Sequence, residues 1–198
     1  VISGNMAGIV AGSSTTIQGN LIGTNAAGTA AIPNTNEGVS LSGSNNLVGG
    51  LTTGLGNLIS GNGDAGIQVE GASATNNTFL ANSIGTNAAG TAAIANGGDG
   101  IALNNGASNN IIGGAVPGVN DGNLISGNTG SGIYIDQNST GTQVLGNRIG
   151  TNGAGSAALP NGGDGITARN NSTGTLIGNS TPSGRNVISG NTGIGINF

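Results

Sequence analysis

Short apolar segments alternate with polar corners along the whole chain. The segments centre on Ile, Val and Leu, and the corners between them are rich in Gly, Asn, Ser and Thr. Because β-branched residues favour strands and the corner residues favour turns, this pattern predicts many short strands joined by tight corners. One phrase, residues 82–94, has close copies at 20–32 and 147–159, which are offsets of 62 and 65 residues. Such repetition predicts that equivalent units stack on one another.

Three strand-sized segments recur in each unit, which predicts a triangular coil whose inward residues form columns. The first predicted column holds Ile9, Val39, Ile67, Ile101, Ile133, Ile166 and Ile194. The second holds Ile17, Val48, Phe79, Ile112, Val144 and Ile177. The third holds Ile2, Ile22, Ile59, Ile84, Ile125, Ile149 and Ile188. We expect each residue to lie about 4.8 Å from the next in its column, the spacing between hydrogen-bonded strands.

Two kinds of coil alternate, because the long connection changes place from one coil to the next. In odd coils it follows the third strand, at residues 25–37, 87–99 and 152–164, and in even coils it separates the second and third strands. The spacing predicts about six coils in two-coil units, with a rise of about 29 Å. Outward-pointing aliphatic residues need cover, and we expect the loops to fold back over them, an oligomer interface being the alternative. These residues are Leu47, Ile111, Leu176, Leu58, Leu124 and Val187.

Three phrases carry a resemblance to a known family. They are Ile-Gly-Thr-Asn-Ala-Ala-Gly-Thr-Ala-Ala-Ile at 84–94, Gly-Gly-Asp-Gly-Ile at 97–101 and Asn-Leu-Ile-Ser-Gly-Asn at 57–62. The chain resembles the right-handed parallel β-helix proteins of the pectate-lyase-like superfold, and in particular the tandem repeats of large bacterial surface and secreted proteins. The resemblance implies an all-β, right-handed parallel β-helix over residues 1–198 as one domain, with an extracellular or cell-surface location. It implies no activity by itself.

The composition of the chain argues against several classes of function. Charged residues are 5% of the chain, His and Cys are absent, and the basic residues are Arg148, Arg169 and Arg185. This leaves no basic surface for nucleic acid and no nucleophile–base pair of the serine or cysteine protease kind. No apolar stretch approaches the roughly 20 residues that span a bilayer, so we expect no membrane insertion.

Asparagine and acidic residues recur at the predicted corners. We expect the amides of stacked asparagines to satisfy one another's hydrogen bonds. They are Asn20, Asn82 and Asn147, each separated by one residue from a following Ile-Gly, and Asn62, Asn128 and Asn191 after Ser-Gly. Glu37, Asp99 and Asp164 precede first-strand glycines on alternate coils, which predicts carboxylates about 10 Å apart. Binding of local backbone amides is the expected role, and a calcium site completed by loop carbonyls is the alternative.

The outward face of the first strands holds the strongest candidate for ligand binding. Tyr134 and Asp136 lie on one coil, Thr167 and Arg169 on the next, and Gln68 and Glu70 on the same face two coils before Asp136. The resemblance implies that related lyases and glycosidases use this face. A glycosidase needs two carboxylates about 5 to 10 Å apart, and Glu70 with Asp136 lies near the upper limit. A surface ion pair beside an isolated tyrosine is the competing interpretation, and we assign no catalytic residue.

A regular array of hydroxyl side chains suggests a further alternative, an ice-binding solenoid. The array skips alternate coils and consists of Thr24, Thr86, Thr151, Thr29, Thr91 and Ser156. Separately, residues 1–5 repeat the sequence of residues 187–191. We expect either that the chain is a segment of a longer repeat protein or that it self-associates through uncapped ends.

Together these observations favour a non-enzymatic extracellular structural or adhesive module, acting as a rigid spacer or surface-assembly element. A carbohydrate-binding or polysaccharide-degrading β-helix that contacts surface glycans is the first alternative, and ice binding is the second.

Overall fold

The computed structural model describes residues 1–114, 116 and 121–198, and these residues form a parallel β-solenoid of about six coils. Its 19 short strands lie in three parallel sheets, and helix is confined to a 3-10 turn at Pro182–Gly184. The first sheet contains β1 (Ile9–Ala11), β4 (Val39–Leu41), β7 (Ile67–Glu70), β10 (Ile101–Asn104), β13 (Ile133–Ile135), β16 (Ile166–Ala168) and β19 (Ile196–Asn197). The second contains β2 (Thr16–Ile17), β5 (Leu47–Gly49), β8 (Thr78–Leu80), β11 (Ile111–Gly113), β14 (Gln143–Leu145) and β17 (Leu176–Ile177). The third contains β3 (Leu21–Ile22), β6 (Leu58–Ile59), β9 (Ser83–Ile84), β12 (Leu124–Ile125), β15 (Arg148–Ile149) and β18 (Val187–Ile188).

The strand register confirms the second and third predicted columns completely. The first column is wrong at its last position, because Ile166 pairs with Ile196 and not with Ile194, which is 56% exposed. Both Gly193 and Gly195 precede an isoleucine, so the phrase alone is ambiguous. The distance from the preceding corner asparagine resolves it, since Asn128 and Gly132 are separated like Asn191 and Gly195.

The columns form a continuous core along the solenoid axis. Ile22, Ile59, Ile84 and Ile125 of the third column are all 0% exposed, as is Phe79 of the second. Burying one such aliphatic side chain stabilises a protein by about 1.5 to 3 kcal/mol, so each coil depends on its neighbours for most of its stability.

The odd-coil loops fold back over the third sheet, as expected for Leu58 and Leu124. A Cβ added to Gly28 would lie 2.7 Å from Leu58 Cδ2, and one added to Gly90 would lie 2.9 Å from Leu124 Cδ2. Both leucines are therefore buried. The loops also hydrogen-bond to one another across the intervening even coil, through Ala88 N to Gly28 O at 2.9 Å and an equivalent bond in the next unit.

The expectation is wrong for the other four aliphatic residues. Leu176 and Val187 are exposed, and Leu47 and Ile111 are only half-buried. Leu47, Ile111 and Leu176 lie in the second sheet, whereas an antiparallel bridge from Thr24 to Ala31, repeated in the next two odd coils, closes each loop over the third sheet. Val187 lies in β18, the outermost strand of the third sheet, so it has a neighbouring strand on one side only.

Close loop contact also explains the Ser-Gly-Asn phrase of the even coils. Gly61 has φ of 75°, and a Cβ there would lie 2.8 Å from the Cβ of Ala31 in the loop. Gly127 has φ of 77° and meets Ala93 at the same distance. Only glycine suits both the left-handed backbone and the missing space.

Asparagine ladders run along all three corners, where each amide donates from Nδ2 to Oδ1 of the next coil. The first corner, between the first and second sheets, holds Asn46, Asn77 and Asn110. The second corner, between the second and third sheets, holds Asn20, Asn57, Asn82, Asn123, Asn147 and Asn186. The third corner, between the third and first sheets, holds Asn5, Asn34, Asn62, Asn96, Asn128, Asn161 and Asn191. The predicted stacking of asparagine amides is thereby confirmed.

Candidate functional site

The candidate residues lie on the outer surface of the first sheet. In β13, Ile133 and Ile135 point into the core, so the alternation of side chains turns Tyr134 outward and places Asp136 directly after the strand. Tyr134 pairs with Thr167 of β16, and Arg169 follows that strand. The register therefore brings Asp136 and Arg169 to the same edge of adjacent coils, as the sequence predicts.

Tyr134, Asp136 and Arg169 form one hydrogen-bonded group. The Tyr134 hydroxyl donates to Asp136 Oδ2 at 2.7 Å and accepts hydrogen bonds from Arg169 Nε, at 2.8 Å, and Nη2. The guanidinium carbon lies 4.8 Å from the centroid of the tyrosine ring, and Nε is 3.9 Å from Asp136 Oδ2. Arg169 thus reaches the carboxylate mainly through the tyrosine hydroxyl, a role for Tyr134 that spacing alone does not predict.

The electrostatics of this group favour a charged Asp136 and a neutral Tyr134. Burial of Asp136 opposes its ionisation, but hydrogen bonds from the Tyr134 hydroxyl, the Gln137 backbone amide and the Asn170 side chain lower its pKa overall. Burial, followed by the hydrogen bond to Asp136, raises the pKa of Tyr134. A carboxylate with a lowered pKa is a poor general acid or base at neutral pH, so the group is better suited to holding a ligand than to proton transfer.

Gln68 and Glu70 lie farther along the same face and do not join this group. Ala102 separates Gln68 from Tyr134 in the register, and Asn104 occupies the position between Glu70 and Asp136. Glu70 accepts a hydrogen bond at Oε1 from Asn105 Nδ2 at 2.8 Å. Two strand spacings, about 9.6 Å, thus separate the backbones at Glu70 and Asp136.

Thr167 belongs to a different network. It is buried, and its hydroxyl donates to Asp164 Oδ2 at 2.9 Å, which also accepts from Asn197 Nδ2 at 2.9 Å. Asp164 Oδ1 accepts from the Ile194 backbone amide at 2.7 Å. Led by the Asn197 side chain and this amide, these contacts lower the pKa of Asp164.

Asp99 makes the same kind of contact one unit earlier, where its Oδ1 accepts from the Ser131 backbone amide at 2.6 Å. Burial, the largest cause, raises the pKa of Asp99, and the nearby Asp64 adds to it. Among the described residues, no three acidic, histidine or cysteine side chains are close enough together to hold a metal ion. Calcium binding by Glu37, Asp99 or Asp164 stays a prediction that would need carbonyl ligands.

Half of the predicted hydroxyl array is turned away from the surface. Thr24 and Thr86 are 0% exposed and Thr151 is 4% exposed, because their hydroxyls donate to the carbonyl of the next residue beneath the loop. Exposed hydroxyls remain at Thr29, Thr91 and Ser156, on alternate coils. Each of these residues closes a turn on the asparagine four residues before it.

Two concave surfaces lie away from the Tyr134 group. A cavity of about 610 Å³ opens among Ile177, Ile188, Ile196 and Arg185 at the last described coil. A groove of about 280 Å³ lies beside Leu21 and Leu58, between the two kinds of loop. Both are lined mainly by apolar and small residues.

Comparisons with known proteins give no assignment. The sequence matches no protein-family model, and neither the curated proteins nor the solved structures contain a significant match. Over the described residues, no helix has the length and apolar character needed to cross a bilayer.

Proposed function

We propose that this chain is a non-enzymatic structural module, a rigid spacer or surface-assembly element of an extracellular or cell-surface protein. One observation carries the proposal. The asparagine ladders of the second and third corners continue through every coil, beside three sheets that are hydrogen-bonded along the same axis.

This arrangement supports stiffness because bending the rod would lengthen strand-to-strand and amide-to-amide hydrogen bonds together. At the third corner, Asn96 illustrates the coupling. It accepts from Asn62, and donates to Ile59 O at 3.0 Å and Asn128 Oδ1 at 2.9 Å, so one side chain ties three coils. A rigid spacer needs stiffness along its whole axis, whereas a catalytic scaffold needs only a local site.

Spin labels test the stiffness directly, and the absence of cysteine makes labelling specific. Thr16→Cys and Leu176→Cys place labels on one column, five coils apart. We expect a narrow distance distribution about 24 Å for the strand positions, and pairing Thr16→Cys with Gln143→Cys should shorten it by about one strand spacing. A broad distribution, or one that does not change between the two pairs, would contradict a rigid spacer.

Self-association through the outermost described strands is the assembly mode that we propose. Strands β1 and β19 stand at the two ends of the strand order in the first sheet, and each contains an exposed apolar residue, Val10 or Ile196. Strands with exposed apolar residues at the edge of a sheet are sites of strand addition. Light scattering over a range of concentrations should show growing end-to-end assemblies, and a strict monomer throughout would contradict this mode.

A second candidate function, glycan binding, is favoured by the Tyr134 group. An aromatic ring and a 57% exposed arginine side chain lie together on the outer face, held by the Asp136 carboxylate, whose side chain is only 7% exposed; the ring and the guanidinium are the groups that a sugar can contact. A glycan array with the wild-type protein, with Tyr134→Phe and with Glu37→Gln as a distant control tests it. Binding that is lost in Tyr134→Phe alone would support this candidate, and no binding by any of the three would leave the spacer.

A further inference from the structure

The first corner changes chemistry along the axis. Coils 2 to 4 carry Gly43, Ala74 or Ala107 followed three residues later by Asn46, Asn77 or Asn110. Coils 5 and 6 carry instead the tetrapeptide Ser-Thr-Gly-Thr, at residues 139–142 and 172–175. The glycine or alanine is thus replaced by serine wherever the asparagine is replaced by threonine in these two coils.

The replacement leaves buried hydroxyls without partners. Within the described part of the chain, the side-chain oxygens of Ser139, Thr142, Ser172 and Thr175 are buried and make no hydrogen bond to another protein group. Ser139 and Thr142 are each 0% exposed as whole residues. An unsatisfied buried hydroxyl costs about 1 to 3 kcal/mol, and four of them on two adjacent coils would be a large penalty for a regular repeat.

Two backbone groups also lose their hydrogen-bond partners where threonine replaces asparagine at this corner. Asn46, Asn77 and Asn110 each donate from Nδ2 to the carbonyl of the residue at the serine position one coil earlier, at 2.7 to 3.1 Å. Thr142 has no Nδ2, so the Ala107 carbonyl loses that donor. The Asn77 backbone amide donates to Asn110 Oδ1 at 2.9 Å, whereas the Asn110 amide faces Thr142, which has no Oδ1.

Geometry explains why hydroxyls cannot close the ladder by themselves. Equivalent atoms on successive coils lie about 4.8 Å apart. A carboxamide spans that gap because its donor and acceptor are separate atoms, but a hydroxyl has one oxygen and two hydroxyl oxygens bond only at about 2.5 to 3.0 Å. One water molecule about 2.8 Å from each of two such oxygens fits the spacing with a bent geometry close to tetrahedral.

We propose that the first corner of coils 5 and 6 is an internal water-binding site, in which ordered water replaces the asparagine carboxamide. The Ser139 and Thr142 hydroxyls, the Ala107 carbonyl and the Asn110 backbone amide supply four candidate partners, and a buried water uses about two to four. Ser172 and Thr175 repeat two of these partners one coil later.

An isosteric substitution distinguishes a hydrated corner from a dry one. Thr142→Val replaces the hydroxyl by a methyl group of similar volume. In a hydrated corner it removes a partner of the bound water and lowers the urea midpoint of unfolding. In a dry corner it removes an unsatisfied hydroxyl, so the midpoint stays unchanged or rises, which would overturn the proposal. Thr16→Val, the same change at an exposed position in β2 of the second sheet, is the matched control and should leave the midpoint unchanged.

A second measurement counts the water directly. Oxygen-17 magnetic relaxation dispersion of the wild-type protein should show long-lived internal water. Ser139→Ala/Thr142→Asn, which restores the residue pair of coil 4, should lower the amplitude by about one molecule. An amplitude that this variant does not change would overturn the proposal even if Thr142→Val failed to fold.

Discussion

The third corner carries asparagine from Asn5 to Asn191, whereas the first corner carries it only from Asn46 to Asn110. Both corners turn the chain between sheets and bury polar groups. A carboxamide both accepts and donates along the axis, so its ladder can continue indefinitely. Threonine in the last two coils of the first corner cannot reach the next coil. A side-chain ladder at a solenoid corner therefore continues only where the side chain is long enough to reach the next coil as well as polar.

Breaking the third corner in the middle should have the largest effect. Asn96→Ala removes two accepted bonds from Asn62 and the donated bonds to Ile59 and Asn128, leaving several buried groups unsatisfied. We expect the free energy of unfolding to fall by about 4 kcal/mol, measured by chemical denaturation. Asn36→Ala, at an exposed loop position, should change it by less than about 0.5 kcal/mol. Equal effects of the two variants would mean that the ladder is not a main support of the fold.

Introducing the serine–threonine pair of coil 5 into coil 4 should lower the free energy of unfolding by a smaller amount. Ala107→Ser/Asn110→Thr gives coil 4 the residue pair of coil 5 and removes the bonds that Asn110 makes with Asn77 and Ala74. We expect a loss of about 2 kcal/mol by chemical denaturation, smaller than for Asn96→Ala because the new serine supplies a polar partner. The single change Asn110→Thr lacks that serine and should cost more than the pair. A pair that costs more than the single change would show that the serine does not compensate.

The fold was predictable from the sequence where side-chain chemistry is periodic, and the columns of Ile22 and Ile17 show this. Alternate members of two ladders were also predictable, such as Asn62 and Asn128. Their partners, such as Asn96, were missed because the long loops of odd coils change the spacing between equivalent corners. The strand pairing defines the register, and the loop lengths that separate equivalent corners do not follow from the sequence pattern alone.

The candidate site was predictable to a smaller extent. Register placed Arg169 beside Asp136, which the structure confirms. Sequence spacing could not show that the Tyr134 hydroxyl lies between them, or that Asn170 and Gln137 also contact the carboxylate, because these contacts depend on side-chain torsions and on the corner conformation. Asn170 has φ of 52°, and such left-handed positions are only weakly encoded by residue type.

Hydrogen exchange should compare the two ends of the first corner directly. The Ser14 backbone amide donates to Ser44 O at 2.8 Å between coils 1 and 2, and the Gly141 backbone amide makes the equivalent bond to Thr173 O at 2.9 Å between coils 5 and 6. Asn46 accepts from the Thr15 amide beside the first bond, whereas hydroxyl residues flank the second. Each bond joins an outermost described coil to its neighbour, so fraying affects them similarly. We expect the Gly141 protection factor to be about tenfold lower, because the hydroxyl corner opens more easily. Equal protection would mean that the change of side chain does not weaken the corner.

Asp99 and Asp164, two carboxylates beside the third corner, should give the smallest effect on stability. A carboxylate accepts hydrogen bonds but has no N–H to donate to the next coil. The Asn197 side chain and the Ile194 amide lower the pKa of Asp164, so its contribution to stability is present above the unfolded value of about 3.9 and is lost as the pH falls through the lower folded value. Burial raises the pKa of Asp99, so its ionisation opposes folding, and stability is regained as the pH falls through the pKa of the folded state.

Asp164→Asn should therefore lower the urea midpoint at pH 7 and reduce the loss of stability in acid. Asp99→Asn should remove the gain of stability that protonation of Asp99 gives in acid. Each change should be below about 1 kcal/mol, because solvent screens these partly exposed groups. Identical pH profiles for the two variants would show that the two carboxylates do not differ as their surroundings indicate.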